Sequence, residues 1–248
     1  MTGGAGLQRF VRGSGPPAAT TVRAGGRAEA SLSQPGPSQP GLSQPGLSQA
    51  SQPDPAPAAA EKCEMCATPV PAEHSHVADL EHATLLCACR ACYLLFTQEQ
   101  AGRGRYRAVP DRYLADPSSP LSTAEWDDLE IPVGLAFFLN SSVRGEVAGF
   151  YPSPAGATEC RLDLQAWQRL ATAHPLLAVV APDVEAILIS RTDPGVECFL
   201  VPIDACYELA GRMRLHWRGF DGGSEARASI AEFLDTVRIR ARTFRQGS

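Results

Sequence analysis

The sequence predicts an α+β chain: a small treble-clef or zinc-ribbon-like module, then an antiparallel sheet covered by helices, both behind a disordered N-terminal tail. Three observations carry this expectation. Two Cys-x-x-Cys pairs, Cys63/Cys66 and Cys89/Cys92, are separated by 22 residues, and two such tight turns can close a tetrahedron of thiolates around one ion. Downstream, strand and helix patterns follow in ββα-ββαα order, which suits an antiparallel sheet with helices laid on one face. Upstream, Ser-Gln-Pro-Gly recurs from Ser33, Ser38 and Ser43.

The tail is assigned to residues 1–60. Its prolines interrupt helices and ladders, and it has too little apolar surface to offset the entropy of ordering. One apolar island, Leu7-Gln8-Arg9-Phe10-Val11-Arg12, reads either as a docking stub or as a stray patch.

The metal module is assigned to residues 61–116. Between the cysteine pairs, Ser75 to Leu80 can run out, Glu81-His82 can turn, and Ala83 to Ala88 can return. Tyr93 to Gln100 reads as a short helix. The ligand set is Cys63, Cys66, Cys89 and Cys92, with zinc as the expected ion. Iron in a rubredoxin-like site is the alternative, because four thiolates suit either. His74, His76 and His82 lie in the spacer: one could replace a cysteine as an alternative ligand or form a second site with Glu73, or all are hairpin surface residues. Cys87 is the odd thiol, either a further ligand or a small buried hydrophobe. The stretch Gly102 to Arg107, with Asp111-Arg112-Tyr113, is read as an edge strand with ion pairs. A phosphate grip is less in keeping with six basic and eight acidic residues from Glu61 to Asp116.

Residues 121–248 form the α+β domain. Ile131 to Leu139 and Gly145 to Tyr151 are expected to pair, as are Glu185 to Ser190 and Val196 to Val201. Asp193-Pro194-Gly195 suits the turn of the second hairpin. Asp163, Asp204 and Ser224 are candidate N-caps. Helix positions Leu164, Trp167, Leu170 and Ala171 face inward, as do Cys206, Leu209, Met213 and Trp217, and then Ile230, Phe233, Leu234 and Val237. Two loops, Phe150 to Glu159 and Trp217 to Gly223, mix aromatic residues with proline, arginine or glycine. They nominate Tyr151, Trp217, Arg218 and Phe220 as partner-binding residues.

The net charge of −5 gives no strong attraction to nucleic acid. The longest apolar run, Ile131 to Leu139, is too short to span a bilayer. With no apolar secretory segment at the N-terminus, a cytoplasmic protein is expected. No P-loop, Gly-x-Ser-x-Gly, His-Glu-x-x-His or dinucleotide fingerprint is present, so no catalytic residue is nominated.

Several strings together resemble an actinobacterial family, domain of unknown function 5947. They are Cys63-Glu64-Met65-Cys66, Leu86-Cys87-Ala88-Cys89-Arg90-Ala91-Cys92, Arg105-Tyr106-Arg107 with Val109-Pro110-Asp111-Arg112, Tyr151 to Glu159, Val201 to Tyr207, and Trp217 to Gly223. The resemblance covers roughly residues 61–240. It departs at Ala67, where the first knuckle of the family usually ends in glycine. Members of that family often stand beside genes for nickel–iron uptake hydrogenases. The resemblance therefore implies a zinc-binding accessory protein whose partner is a hydrogenase subunit or maturation factor. An iron redox carrier and an enzyme using the second unit are the other readings.

Overall fold

The computed structural model describes residues 61–245 apart from Glu99, Asp193, Pro194, Phe220 and Asp221. The expected tail, the apolar island, part of the Asp193-Pro194-Gly195 turn and Phe220 therefore lie outside the described residues. The chain is α+β.

The module is built on a three-stranded sheet of order β2-β1-β3: β1 (Ser75–Asp79), β2 (Thr84–Ala88) and β3 (Tyr106–Ala108). Asp79 makes the turn between β1 and β2. Its Oδ1 accepts the backbone N–H groups of Glu81 and His82, at 3.1 and 3.3 Å. Helix α1 (Arg90–Leu94) starts at once, with Cys89 as its N-cap. The expected helix from Tyr93 to Gln100 is thus shifted toward the N-terminus, and Cys92 lies inside the helix. The knuckle, hairpin and helix still follow in the expected order.

Arg105 grips the buried Asp79 carboxylate with two N–H donors, at 3.2 and 2.8 Å. Burial raises the Asp79 pKa, but bonds from Arg105 and His82 outweigh it and bring it down to about 2. A depressed carboxylate stabilises the fold above its unfolded value, near 4, and that contribution is lost as pH falls toward 2. Arg105 is itself 39% exposed, so solvent screening weakens the pair. Asp79→Asn should lower the urea midpoint at pH 7 and leave a much smaller difference from the parent at pH 2.5. An equal difference at both values would show that the carboxylate charge is not the stabilising feature.

The larger sheet has seven strands in the order β10-β4-β9-β8-β5-β6-β7. These are β4 (Leu114–Ala115), β5 (Leu135–Ser141), β6 (Glu146–Ser153), β7 (Gly156–Cys160), β8 (Glu185–Arg191), β9 (Val196–Pro202) and β10 (Arg242–Thr243). All neighbours are antiparallel except β10 and β4. Helices pack on both faces, not on one. Leu135, Phe137, Leu139, Leu188 and Val201 meet α5 (Ile203–His216) and α6 (Gly223–Arg240) through Leu209, Met213, Phe233 and Val237. Ala136, Phe138, Ile187, Ile189 and Leu200 meet Trp126 of α2 (Thr123–Asp127), Trp167 and Leu170 of α3 (Leu164–Ala173), and Leu176 and Leu177 of α4 (Pro175–Ala178). Alternate side chains leave opposite faces of a strand, so a strand covered on both sides reads as a continuous apolar run.

The expected loop from Phe150 to Glu159 is instead the β6–β7 hairpin. Ser153 pairs with Gly156, and Pro152 with Ala157. The pairing of β6 with β5 covers only Glu146 to Phe150. Beyond it, Pro152 can lack an N–H without breaking a ladder. Asp163 caps α3 as expected, accepting the Gln165 N–H at 2.8 Å. Leu164, expected inward, is 45% exposed. Asp204 does not cap α5. Pro202 holds that position, and the Asp204 side chain is engaged by His76. Gly222 with φ 84°, not Ser224, is the N-cap of α6. Ser122 and Glu125 close a reciprocal capping box on α2.

Candidate metal centre

The first knuckle is a tight turn: the Ala67 N–H donates to the Cys63 carbonyl and the Cys63 N–H to the Thr68 carbonyl, each at 2.8 Å. Ala67 takes φ 60°, a left-handed conformation that favours glycine. The turn is tied to β2 twice. The Glu64 N–H donates to the Cys87 carbonyl at 2.9 Å, and the Glu64 carboxylate accepts the Cys87 N–H at 2.6 Å. The second pair comes from the junction of β2 with α1, so a helical turn sets the spacing of Cys89 and Cys92.

These two elements bring Cys63, Cys66, Cys89 and Cys92 together, with all four sulfurs within 4.8 Å of one another. Cys66 Sγ and Cys89 Sγ are 3.6 Å apart. A zinc ion bonded to sulfur at 2.3 Å has tetrahedral edges of about 3.8 Å, so the arrangement fits one four-sulfur ion. Cys63 is fully buried and Cys66 is exposed.

The sulfurs are not equivalent. Burial works against ionising Cys63, but hydrogen bonds from the backbone at Cys89, Met65 and Cys66 bring it down to about 6. Thr68 lowers Cys66, through its hydroxyl first and its backbone second. Cys92 is pushed up to about 12, chiefly by its contact with the Cys66 sulfur and then by burial. Four thiols this close cannot all ionise without a cation among them, and a bound metal removes the last protons.

His74, His76 and Cys87 do not join the four-sulfur group. They form a second cluster, with one ligand atom from each within 4.8 Å of the others. A third group, Asp79, Glu81 and His82, is held by the Arg105 guanidinium and serves the hairpin turn. Other members of the Arg-rich stretch are also engaged internally. Arg107 donates to the Pro182 carbonyl, and Arg112 to Glu185.

The nominated partner-binding residues are spread over the fold. Tyr151 lies on β6, on the sheet face that carries Trp167 and Leu170. Trp217 packs on the opposite face of the sheet, beside Met213, and its Nε1 donates to the Gly219 carbonyl at 3.0 Å. Arg218 is exposed next to it. Tyr151 and Trp217 therefore do not share one surface. Sequence reasoning missed Leu94 and Leu95, which are 50% and 67% exposed at the end of α1. Two adjacent leucines after a ligand cysteine were the available signal.

His174 ends α3 and starts α4. This side chain is 7% exposed, with Nε2 2.9 Å from Glu125 Oε1 and Nδ1 3.0 Å from Ser119 Oγ. The order serine–histidine–carboxylate resembles a nucleophile relay. Nδ1 also faces the Ser119 carbonyl at 3.2 Å. A carbonyl only accepts, so a proton on Nδ1 satisfies it and removes the lone pair that would activate the hydroxyl. Glu125 is meanwhile bound at the Ser122 cap. The trio joins the start of α2 to the junction of α3 and α4.

A family model described as "Family of unknown function (DUF5947)" matches residues 62–241. No curated protein matches, and no solved structure matches. Among the described residues, no helix is long and apolar enough to cross a membrane.

Proposed function

The chain belongs to the DUF5947 family, and from that premise we propose that it is a non-enzymatic zinc-binding adaptor that holds a protein partner. The observation that carries the reading is the closed set of ligands, Cys63, Cys66, Cys89 and Cys92. Four protein sulfurs fill a tetrahedral ion and leave no position for substrate. Such a site instead fixes the knuckle, hairpin and α1 as one rigid face. Leu94 and Leu95 project from that face with half or more of their surface exposed, and Trp217 with Arg218 offers a second patch of interface-forming residue types.

The proposed client is a nickel–iron hydrogenase subunit or a factor that matures it, in the cytoplasm. The expected neighbourhood of the family's genes supports this client. Iron in the same site is the second reading, because four thiolates suit either ion. Colour separates the two readings at once: a zinc protein is colourless.

Leu94→Asp with Leu95→Asp should keep the metal and the fold while reducing capture of the hydrogenase subunit at least tenfold. Trp217→Ala should do the same more weakly. A strain lacking the gene should take up hydrogen more slowly with transcription of the subunits unchanged. Unchanged uptake, under conditions where the protein is expressed, rules out the hydrogenase role.

A further inference from the structure

The second cluster is assembled by strand register. His74 immediately precedes β1 and His76 is its second residue, and their rings meet on one side of the chain. His76 is the direct cross-strand partner of Cys87 on β2, which brings the thiol to the same face. The histidine rings stand 4.8 Å apart.

Hydrogen bonds fix the free nitrogen of each ring. His74 Nδ1 lies 3.0 Å from the Pro71 carbonyl, which only accepts, so Nδ1 carries the proton. Nε2 then presents a bare lone pair. It is buried with no hydrogen-bond partner, on a side chain that is 7% exposed. A buried acceptor left unpaired costs on the order of 1–3 kcal/mol. His76 is set in the same way. Its Nδ1 lies 2.9 Å from Asp204 Oδ2 at the first turn of α5, which places a proton on Nδ1 and leaves Nε2 as the nitrogen available to a metal. A histidine that gives one N–H to a carbonyl or carboxylate and turns its other nitrogen inward is the usual form of a metal ligand.

We propose that His74 Nε2, His76 Nε2 and Cys87 Sγ form a second metal site, for a divalent transition ion such as zinc or cobalt, with its fourth position open to an exchangeable ligand. Among the described residues, no fourth His, Cys, Asp or Glu completes the group. Three protein ligands of nitrogen and sulfur type with one open position is the arrangement of reactive, not structural, zinc. Asp204 is a positioning residue: it acts on the metal through the His76 ring. This site stands apart from the adaptor reading, which uses only the four-cysteine ion.

The test is a cobalt(II) titration of the full chain after metal removal, read by absorption and by metal analysis. The parent should bind two equivalents. His76→Ala and Cys87→Ser should each bind one, with the intense sulfur-to-cobalt bands of the four-cysteine site unchanged. Asp204→Asn should weaken the second equivalent by about 10–100-fold without touching the first. Azide should shift the bands of the second equivalent alone. Per-residue alkylation of the parent keeps the test decisive if a variant fails to fold: Cys87 should react at one equivalent and be protected at two. A parent that binds a single equivalent overturns the proposal, as does Cys87 that alkylates equally at both loadings. Retention of both equivalents in Cys87→Ser would do the same. Failure of the first equivalent instead counts against the four-cysteine site.

Discussion

Changing Cys89 and Cys92 together to serine should abolish binding at the four-sulfur centre and unfold the module around it. The expected loss is large because the module has little core of its own. Its buried apolar residues are Cys63, Val70, Val77, Ala78, Ala88, Val109 and Tyr113, and β2 and β3 are only partly buried. Metal binding in structural zinc modules supplies on the order of 10 kcal/mol of apparent folding free energy. Metal analysis should show the missing ion, and amide exchange should show rapid exchange from Lys62 to Ala108. The seven-stranded sheet carries two apolar clusters, and the module adds only Ala78, Val109 and Tyr113 to the buried residues of the first, so its β8 and β5 amides should stay protected. Full metal retention in the double variant would show that the ligands are misassigned.

The second large effect is expected at Arg112. Its Nε donates to Glu185 Oε1 at 2.7 Å and its Nη2 to the other carboxylate oxygen. The Glu185 side chain is 0% exposed, and it also accepts the Ala181 N–H at 2.8 Å. Arg112→Ala would leave this carboxylate buried without its cation, a change that costs about 3–5 kcal/mol. The melting temperature should fall by roughly 10 °C or more. Arg112→Leu with Glu185→Leu should lose much less, because it removes both charges. Thermal melts of the three proteins decide the point. A single variant that melts with the parent would mean that the pair is already solvated.

The cysteine spacing exposed the four-sulfur centre because it is local: two tight turns and a short hairpin fix it. The hairpin limits were also legible, since Asp79 terminates β1 through its own side chain. The cover on both faces of the sheet was not. Trp167 reads as an ordinary apolar helix residue, and nothing in the spacing of one helix says which side of a sheet it meets. Strand β7 was hidden by Pro152 and Pro154, which suggest a loop until the limited reach of β5 is known. The second cluster was half visible: His74, His76 and Cys87 stood out as residues, but their union needs the register of β1 against β2. The tautomer of His76 depends on Asp204, 128 residues away, and a short window of sequence carries no such signal.

The central claim is the closed four-sulfur ion, and X-ray absorption at the metal edge tests it most directly. The Cys87→Ser chain loaded with one equivalent of zinc isolates that centre from the second cluster. Four sulfur neighbours at about 2.3 Å are predicted. A first shell containing nitrogen or oxygen, or a chain that holds no zinc, would contradict the account.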